Sequence, residues 1–312
     1  MKYQLAQLSV GGGRAANEDR VGTAERDNAV LLVVADGLGG HSGGELASQT
    51  LVETVLRVFQ GVKQPRLSDP FSFLALTILK AHGSVAARAK MHVPPLEART
   101  TCVVCLVQDG YAYWAHVGDS RLYHFRDGKL LVRTEDHTTI EELRRDGVIT
   151  EEEMANHPRK SLLLRSVGGP SPPRISLGDE VALHTGDVLL LCSDGLWEAL
   201  RAEEIAAALR RPRVDEAVEE MVLAAEKRMG DACDNVSAVC LRWEDRLTKS
   251  LPLQPPRPAQ VDAAQLWRGA AAKVAAQRSP RPAAPAGAKR QDRIESEIQE
   301  LEEYLRRLES KG

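Results

Sequence analysis

The sequence has no long apolar run, no evident export signal and few cysteines. Its 312 residues are 43% hydrophobic and 27% charged, and no stretch approaches the ~18 apolar residues that span a bilayer. Residues 1–7 show no basic segment followed by an apolar core, so no signal peptide is predicted. Five cysteines, an odd number in such a chain, argue against a disulfide framework. The sequence therefore predicts a soluble, cytoplasmic protein that contacts no membrane.

Several motifs are also missing. No glycine loop precedes a Walker lysine, and no Gly-x-Gly-x-x-Gly opens a helix, so a nucleotide-binding fold has little support. Cys102-x-x-Cys105 has no second pair to complete a zinc site, and both cysteines are expected in the core. Cys192 and Cys233 lack an arginine at the spacing of a cysteine-phosphatase loop, which argues against that chemistry. The net charge of −3 gives no reason to expect nucleic acid.

The stretch around Asp36 organises the rest of the chain. Residues 30–35 are an apolar run that predicts a strand buried on both faces. The run ends at Asp36, and the glycines from Gly37 to Gly44 let the backbone turn tightly and approach a ligand. An apolar stripe then predicts a helix from near Glu45. Asp-Gly after a strand is by itself typical of a turn, but a carboxylate beside bare backbone also suits a metal site.

The same arrangement recurs elsewhere in the chain. Asp119, Asp194 and Asp234 each adjoin an apolar run typical of a strand, and Glu18 and Asp19 add carboxylates near the N-terminus. So many acidic groups at strand ends are hard to explain as separate turns. Converging strands would bring these carboxylates together, and hard divalent cations are the usual compensation for such a cluster.

The ordered set of motifs resembles one family. The chain carries Arg14-x-x-Asn-Glu-Asp19, Asp36-Gly-Leu-Gly-Gly-His41, Thr100-Thr101, Gly118-Asp-Ser-Arg121, Glu135-Asp-His-Thr138, Ser193-Asp-Gly-Leu-Trp197 and Asp234-Asn235. This set closely resembles the metal-dependent protein phosphatases of type 2C in their bacterial form. Each motif alone is weak, but the complete set in this order is specific. The resemblance covers about residues 1–245.

The resemblance implies an α+β fold, a four-layer α-β-β-α sandwich of two mostly antiparallel sheets with flanking helices. The hairpin signal Asp127-Gly128 supports antiparallel pairing. The catalytic domain is expected to span residues 1–245, with a polar surface flap at about 138–160. Residues 70–90 predict a helix on whose apolar face His82 packs, rather than binding a metal.

The resemblance also assigns a metal centre, with two Mn²⁺ or Mg²⁺ ions and a third, weaker site. It places Asp36 as the ligand that bridges both metals and the Gly37 carbonyl on one of them. It places Asp194 and Asp234 on the other metal. Two such ions clamp a phosphate and lower the pKa of a shared water, and oxygen ligands suit Mn²⁺ or Mg²⁺.

Further residues take supporting roles by the same resemblance. Glu18 and Asp19 would hold metal-bound waters, and Asp119 would form the third site together with Asp194. Arg14 would grip the substrate phosphate with its planar guanidinium. The alternative for Arg14 is an ordinary surface ion pair.

The expected reaction is hydrolysis of phosphoserine or phosphothreonine in proteins, with no phosphoenzyme. The leaving alkoxide needs a proton, so a general acid is useful. The eukaryotic branch carries histidine where this chain has Leu38, and His41 stands three positions later. His41 is a candidate acid; its alternatives are to cap the next helix or brace the glycine loop. His137 is a rival for which a structural role is preferred.

Two classes of function are considered for the domain. The first is an active phosphatase that acts on phosphorylated proteins and reverses a bacterial serine/threonine kinase. The alternative is a catalytically weak module of the same fold that binds phosphoproteins. All the expected carboxylates are present, which favours activity.

The tail has a different composition. Residues 246–289 are rich in Pro, Ala and basic side chains, which predicts a flexible linker. Residues 290–312 predict a charged helix, whose apolar positions recur at alternating spacings of four and three: Ile294, Ile298, Leu301, Leu305 and Leu308. A helix this short is only marginally stable alone. The apolar seam formed by these positions is therefore expected to self-associate or to bind a partner helix.

Overall fold

The computed structural model describes residues 1–38, 42–150 and 163–246, together with residue 153 and residues 260–261. All of these belong to one unit, Met1–Val261. The predictions for His41, for part of the flap and for the C-terminal helix 290–312 lie outside the described residues. Within the described ranges, no helix is both long and apolar enough to cross a membrane.

One sheet has five strands, and in it the first strand of the chain pairs with the last long strand. In spatial order its strands are β1 (Tyr3–Val10), β13 (Val236–Trp243), β12 (Val188–Cys192), β8 (Arg121–Arg126) and β9 (Lys129–Arg133). Every pairing is antiparallel. Asp127 and Gly128, with φ of 51° and 72°, join β8 to β9. Two consecutive positive φ angles are typical of a type I′ turn, so the predicted hairpin is confirmed.

The other sheet contains the strand that leads to Asp36. In spatial order its main strands are β14 (Gln260–Val261), β10 (Ile175–Leu177), β7 (Tyr111–Val117), β6 (Cys102–Gln108), β3 (Ala29–Ala35) and β2 (Arg20–Arg26). β11 (Val181–Ala182) also pairs with β7, and β4 (Gly37–Leu38) pairs with β5 (Arg99–Thr100). These pairings are antiparallel too. Every residue of β3 is buried, as its continuous apolar run predicted.

The two sheets are stacked face to face. Leu32 and Val103 from one sheet share a buried cluster with Leu189 and Leu241 from the other. The apolar alternation along each strand therefore supplies a shared core between the sheets, because successive side chains point to opposite faces.

Helices cover both outer faces of the sandwich. α1 (Ser42–Gln60) and α2 (Pro70–Lys90) lie against the sheet that contains β3, and α1 begins three residues before the predicted start near Glu45. α3 (Thr139–Arg145) lies within the predicted flap. Three helices lie on the outer side of the first sheet: α4 (Asp194–Trp197), α5 (Ala202–Ala208) and α6 (Val214–Met229). Of these, α6 covers most of the sheet. The layer order is that of the predicted four-layer α-β-β-α sandwich, and the α+β class is confirmed.

The sheet that contains β3 also includes two residues from beyond the last long strand. Two residues of the predicted linker form β14, in which Val261 pairs with Ile175 and Gln260 with Ser176. The division into a domain of residues 1–245 and a linker of residues 246–289 stays a prediction.

Candidate functional site

A cavity of about 680 Å³ lies where strand ends from both sheets meet. Carboxylates dominate its polar lining: Glu18, Asp36, Asp119, Asp194, Glu198 and Asp234. Arg14 and Gly37 line it as well. The structure thus brings together in one pocket every described residue to which a site role was assigned, except Asp19, which lies beneath it and is 2% exposed.

Asp36 is held through its backbone. Its N–H donates to Thr101 Oγ1 at 2.9 Å, and its carbonyl accepts from Thr100 Oγ1 and from the Thr101 N–H, both at 2.8 Å. Thr101 Oγ1 in turn contacts Ser120 Oγ at 2.7 Å. The main chain of Asp36 is therefore satisfied by neighbouring strands, which leaves the carboxylate for the pocket.

A hydroxyl group connects Asp194 to the N-terminal carboxylates. Ser193, fully buried, precedes Asp194, and its Oγ donates to Asp19 Oδ2 at 2.7 Å. The Ser237 N–H donates to the same Oγ at 3.0 Å. Asp19 therefore helps to hold Ser193, the residue that directly precedes α4.

Asn235 joins the two loops that carry Arg14 and Asp234. Its Oδ1 accepts from the Glu18 N–H at 2.8 Å, and its Nδ2 donates to the carbonyls of Gly11 and Ala16, both at 3.0 Å. Asn235 is only 6% exposed, so each polar atom of its amide is used.

Arg14 pairs with a predicted metal ligand. Its Nη2 lies 2.7 Å from Asp234 Oδ2, and the two side chains are 60% and 42% exposed. The ion pair that was the alternative for Arg14 is thus present, but its partner is a carboxylate of the pocket. Asp234 Oδ1 accepts from the Asn235 N–H at 2.8 Å.

Burial and neighbouring negative charges raise the pKa of four carboxylates in and around the pocket. Burial, followed by the charges of Asp194 and Asp19, raises the pKa of Asp36 well above 3.8. Burial and then the charge of Asp119 do the same for Asp194. Burial raises the pKa of Asp19 to about 7 although Ser193 lowers it, and burial and then Asp136 raise that of Asp119 to about 7. Each negative charge in the pocket therefore makes the next one costlier.

The donor set fits a hard divalent cation. Its side-chain donors are carboxylate oxygens, and the raised pKa values of Asp36 and Asp194 indicate that the protein does not compensate the negative charge of these two groups. In the described part of the chain, no three His, Cys, Asp or Glu side chains stand close enough to hold an ion as they are. Mutual repulsion opposes closer approach, and a bound cation would remove that cost.

The two candidate histidines have different outcomes. His41 lies outside the described residues, so its role stays a prediction. His137 is 6% exposed, accepts from the Gly118 N–H at 3.1 Å and contacts Ser176 Oγ at 2.8 Å. It does not line the pocket, which agrees with the preferred structural role. His82 is also buried and accepts from the Gly168 N–H at 3.0 Å, so its predicted packing is confirmed.

The cysteines are all free and buried. Cys240 and Arg246 do stand at the spacing of a cysteine-phosphatase loop. Cys240 lies inside β13 with no exposure, and burial raises the pKa of its thiol to about 12. Cys240 would therefore be a thiol at neutral pH, which opposes a nucleophilic role.

Sequence reasoning missed several supporting residues. Asn235 and Thr101 stood in the quoted motifs but received no role, and Glu198 was not noticed. Trp197 likewise received no role, although its indole Nε1 donates to the Asp119 carbonyl at 3.0 Å. The sequence signal that could have found Asn235, Glu198 and Trp197 is their position beside a predicted metal ligand, or about one helical turn after it.

Sandwich architecture and an acidic pocket at the strand ends define an α+β protein with a candidate metal site, and sequence comparison identifies the family. The sequence model of the protein phosphatase 2C family matches residues 12–233. The chain therefore belongs to the protein phosphatase 2C family. The recognition from the motifs is confirmed, and the relatives that follow are named as serine/threonine phosphatases.

Individual relatives support this assignment. The chain is 35% identical over 228 residues to the serine/threonine protein phosphatase PstP of Mycobacterium tuberculosis, covering 72% of this chain but only 42% of PstP. It is 31% identical over 229 residues to the serine/threonine phosphatase stp of Listeria monocytogenes, covering 72% and 90% of the two chains. The present chain thus spans less than half the length of PstP.

Solved structures share the fold. The S. agalactiae serine/threonine phosphatase superposes with a TM-score of 0.72 at 28% identity, covering 78% of this chain and 100% of that one. The catalytic domain of PstP, in complex with two manganese ions, superposes with a TM-score of 0.67 at 32% identity, covering 78% and 99%.

Proposed function

We propose that this chain hydrolyses phosphoserine and phosphothreonine in proteins with the aid of two Mn²⁺ or Mg²⁺ ions and a third, weaker site. The observation that carries the proposal is the pocket in which Asp36, Asp119, Asp194 and Asp234 meet beside Arg14. The PstP structure with two manganese ions supports the choice of metal. A phosphoprotein substrate is supported by the names of the relatives.

In this proposal the two ions would be held by Asp36, shared between them, by the Gly37 carbonyl on one side and by Asp194 and Asp234 on the other. Asp119 and Asp194 would hold the weaker third ion. When bound, such ions neutralise phosphate charge and make a water molecule a better nucleophile. The chain's own contribution is the backbone support described above, which holds the carboxylates in place.

Other residues act on the substrate and the solvent. Arg14, which pairs with Asp234 Oδ2 at the pocket, binds the substrate phosphate with its guanidinium. Glu18, which lines the pocket, and Asp19, which is buried outside it, orient metal-bound water. His41 donates the proton to the leaving alkoxide.

The biological setting is part of the proposal. The substrates are targets of a bacterial serine/threonine kinase, the protein acts in cytoplasmic signalling, and the C-terminal helix brings it to a partner or to a second copy. The retained carboxylates favour catalysis over a module that only binds phosphoproteins.

The proposal is tested by assaying phosphopeptide hydrolysis with Mn²⁺ for the wild type, Asp36→Asn and Asp127→Asn. Asp36→Asn should lower kcat/KM by more than about a hundredfold, because losing even an indirect metal-supporting group costs 10–100-fold. Asp127→Asn removes a carboxylate at φ 51°, a conformation that asparagine tolerates, and should leave activity unchanged. Full activity in folded Asp36→Asn would refute the metal-centre assignment.

A further inference from the structure

Trp197 lies directly behind the pocket without lining it. α4 begins at Asp194, and Trp197 is the last residue of this helix. Its indole Nε1 donates to the main-chain carbonyl of Asp119 at 3.0 Å. The side chain therefore connects the helix that starts with one pocket carboxylate to the loop that carries another.

A buried cation also lies over the face of the indole ring. The Arg121 guanidinium lies 3.6 Å from the centre of the Trp197 ring, and Arg121 is 7% exposed. Its Nε and Nη2 donate to Asp136 at 2.9 and 2.6 Å, and its Nη1 donates to Tyr123 Oη at 3.1 Å. A guanidinium held by these bonds provides a rigid surface for the ring, and stacking on an aromatic face is favourable.

The Asp119 loop is also linked to the opposite sheet. Ser120 Oγ contacts Thr101 Oγ1 at 2.7 Å, and Thr101 Oγ1 also accepts from the Asp36 N–H at 2.9 Å. Asp119 thus lies between two connections, one through Ser120 to Asp36 and one through Trp197 to α4. The connection through Trp197 depends on a single N–H group and one ring face.

We propose that Trp197 is a positioning residue that sets the location of Asp119 relative to Asp194, and thereby the affinity of the pocket for divalent cations. The inference rests on the proposed function, because it assumes that these carboxylates bind metal. Trp197 does not line the pocket, so its effect acts through the Asp119 carbonyl.

The test is calorimetric titration of Mn²⁺ into the wild type, Trp197→Phe, Trp197→Leu and Trp243→Phe. Phenylalanine keeps a ring over Arg121 but has no N–H, whereas leucine removes both contacts. Trp243→Phe is the matched control, because Trp243 is 2% exposed in the core and its Nε1 has no hydrogen-bond partner among the described residues.

Trp197→Phe should weaken Mn²⁺ binding about fivefold, the usual worth of one neutral hydrogen bond, and Trp197→Leu should weaken it further. Trp243→Phe should bind as the wild type does. In an aryl phosphate assay, saturating Mn²⁺ should restore kcat of Trp197→Phe to within about twofold of wild type, which a general loss of structure would not allow.

Wild-type Mn²⁺ affinity in folded Trp197→Phe would overturn the inference, as would an equal loss in Trp243→Phe. Failure of saturating Mn²⁺ to restore kcat would also contradict it. If Trp197→Leu does not fold, Trp197→Phe decides the question alone. A wild type that binds Mn²⁺ but releases no phosphate contradicts the proposed function, while the titrations still test Trp197. A wild type that binds no Mn²⁺ overturns both.

Discussion

Single residues in this pocket are positioned mainly by hydrogen bonds to the main chain. Thr100, Thr101 and Asn235 direct side-chain atoms to backbone groups of neighbouring segments. Such bonds leave the carboxylates of Asp36 and Asp234 directed into the pocket, where their repulsion is costly. Arg14 offsets part of that cost through its pair with Asp234.

Arg14→Ala should raise KM for a phosphopeptide about tenfold while changing kcat by less than about threefold. The physical reason is that a charge-assisted contact to phosphate is lost, whereas the groups that act on water are untouched. Steady-state kinetics at saturating Mn²⁺ measures both constants. Arg211→Ala is the control, because Arg211 forms an exposed pair with Glu220 and neither residue lines the pocket. An unchanged KM with a collapsed kcat would assign Arg14 a different role.

Among the elements, the contact between loops 11–18 and 231–235 decides the shape of the pocket entrance. The Gly13 N–H donates to the Cys233 carbonyl at 2.9 Å. A Cβ on Gly12 would lie 2.1 Å from the Asp234 carbonyl oxygen, and one on Gly13 would lie 2.3 Å from that of Asp231. The glycines therefore permit the backbones to touch, and any side chain there would move Asp234.

Gly12→Ala tests this contact against Gly186→Ala. Both glycines have positive φ, 56° and 94°, but a Cβ on Gly186 would meet nothing within 4 Å. Gly186→Ala should therefore cost only the conformational penalty of about 1–2 kcal/mol. Gly12→Ala should cost about 1–3 kcal/mol more and weaken Mn²⁺ binding. Thermal unfolding and metal titration of both variants provide the comparison, and equal losses would show that the close approach has no energetic effect.

For the whole molecule, the pocket concentrates carboxylates whose pKa is higher in the folded than in the unfolded state. A raised carboxyl pKa stabilises the fold at low pH, and that contribution is lost as pH rises through the folded value. Burial lowers the pKa of His82, His116 and His137, so these groups affect stability only below their unfolded value of about 6.5. Between pH 6.5 and 8 the change of folding stability with pH is therefore set mainly by these carboxylates and not by the histidines.

The metal-free protein should lose stability between pH 6.5 and 8, with Tm falling by at least about 4 °C. The groups responsible are Asp19 and Asp119, with pKa of about 7, and Asp36 and Asp194, whose pKa is higher than usual. Calorimetry with a chelator measures the effect. Mn²⁺ should raise Tm more at pH 8 than at pH 6.5, because the metal binds the deprotonated form. A Tm that rises over this range would contradict the assignment, and Asp36→Asn should reduce the slope.

A chain ending at Val261 should hydrolyse a short phosphopeptide within about twofold of the full-length rate, because the pocket lies within the unit Met1–Val261. The truncation should reduce oligomer size or partner binding, since it removes the predicted apolar seam. Light scattering and kinetics on both chains are the measurements. Leu301→Asp in the full chain should reproduce the change in association with one residue. Loss of peptide hydrolysis on truncation would contradict the view of the tail as a tether.

The amino-acid sequence by itself determined the family, the buried strand before Asp36, the hairpin between β8 and β9, and the carboxylates of the pocket other than Glu198. Each of these has a local signal. The apolar run before Asp36 predicts a buried strand, Asp127-Gly128 predicts a hairpin, and a carboxylate at a strand end marks a candidate ligand. These signals depend on side-chain type and spacing over a few residues, so no long-range contact is needed to detect them.

Only the tertiary structure decided which groups hold the site together. Asn235 donates to carbonyls 224 and 219 residues away in sequence, and Trp197 donates to one 78 residues away. Their acceptors are main-chain oxygens, which every residue carries, so no sequence pattern distinguishes the chosen acceptor from any other. The pairing of Arg14 with Asp234 has the same origin, because a long exposed side chain meets its partner only after two distant loops have packed together.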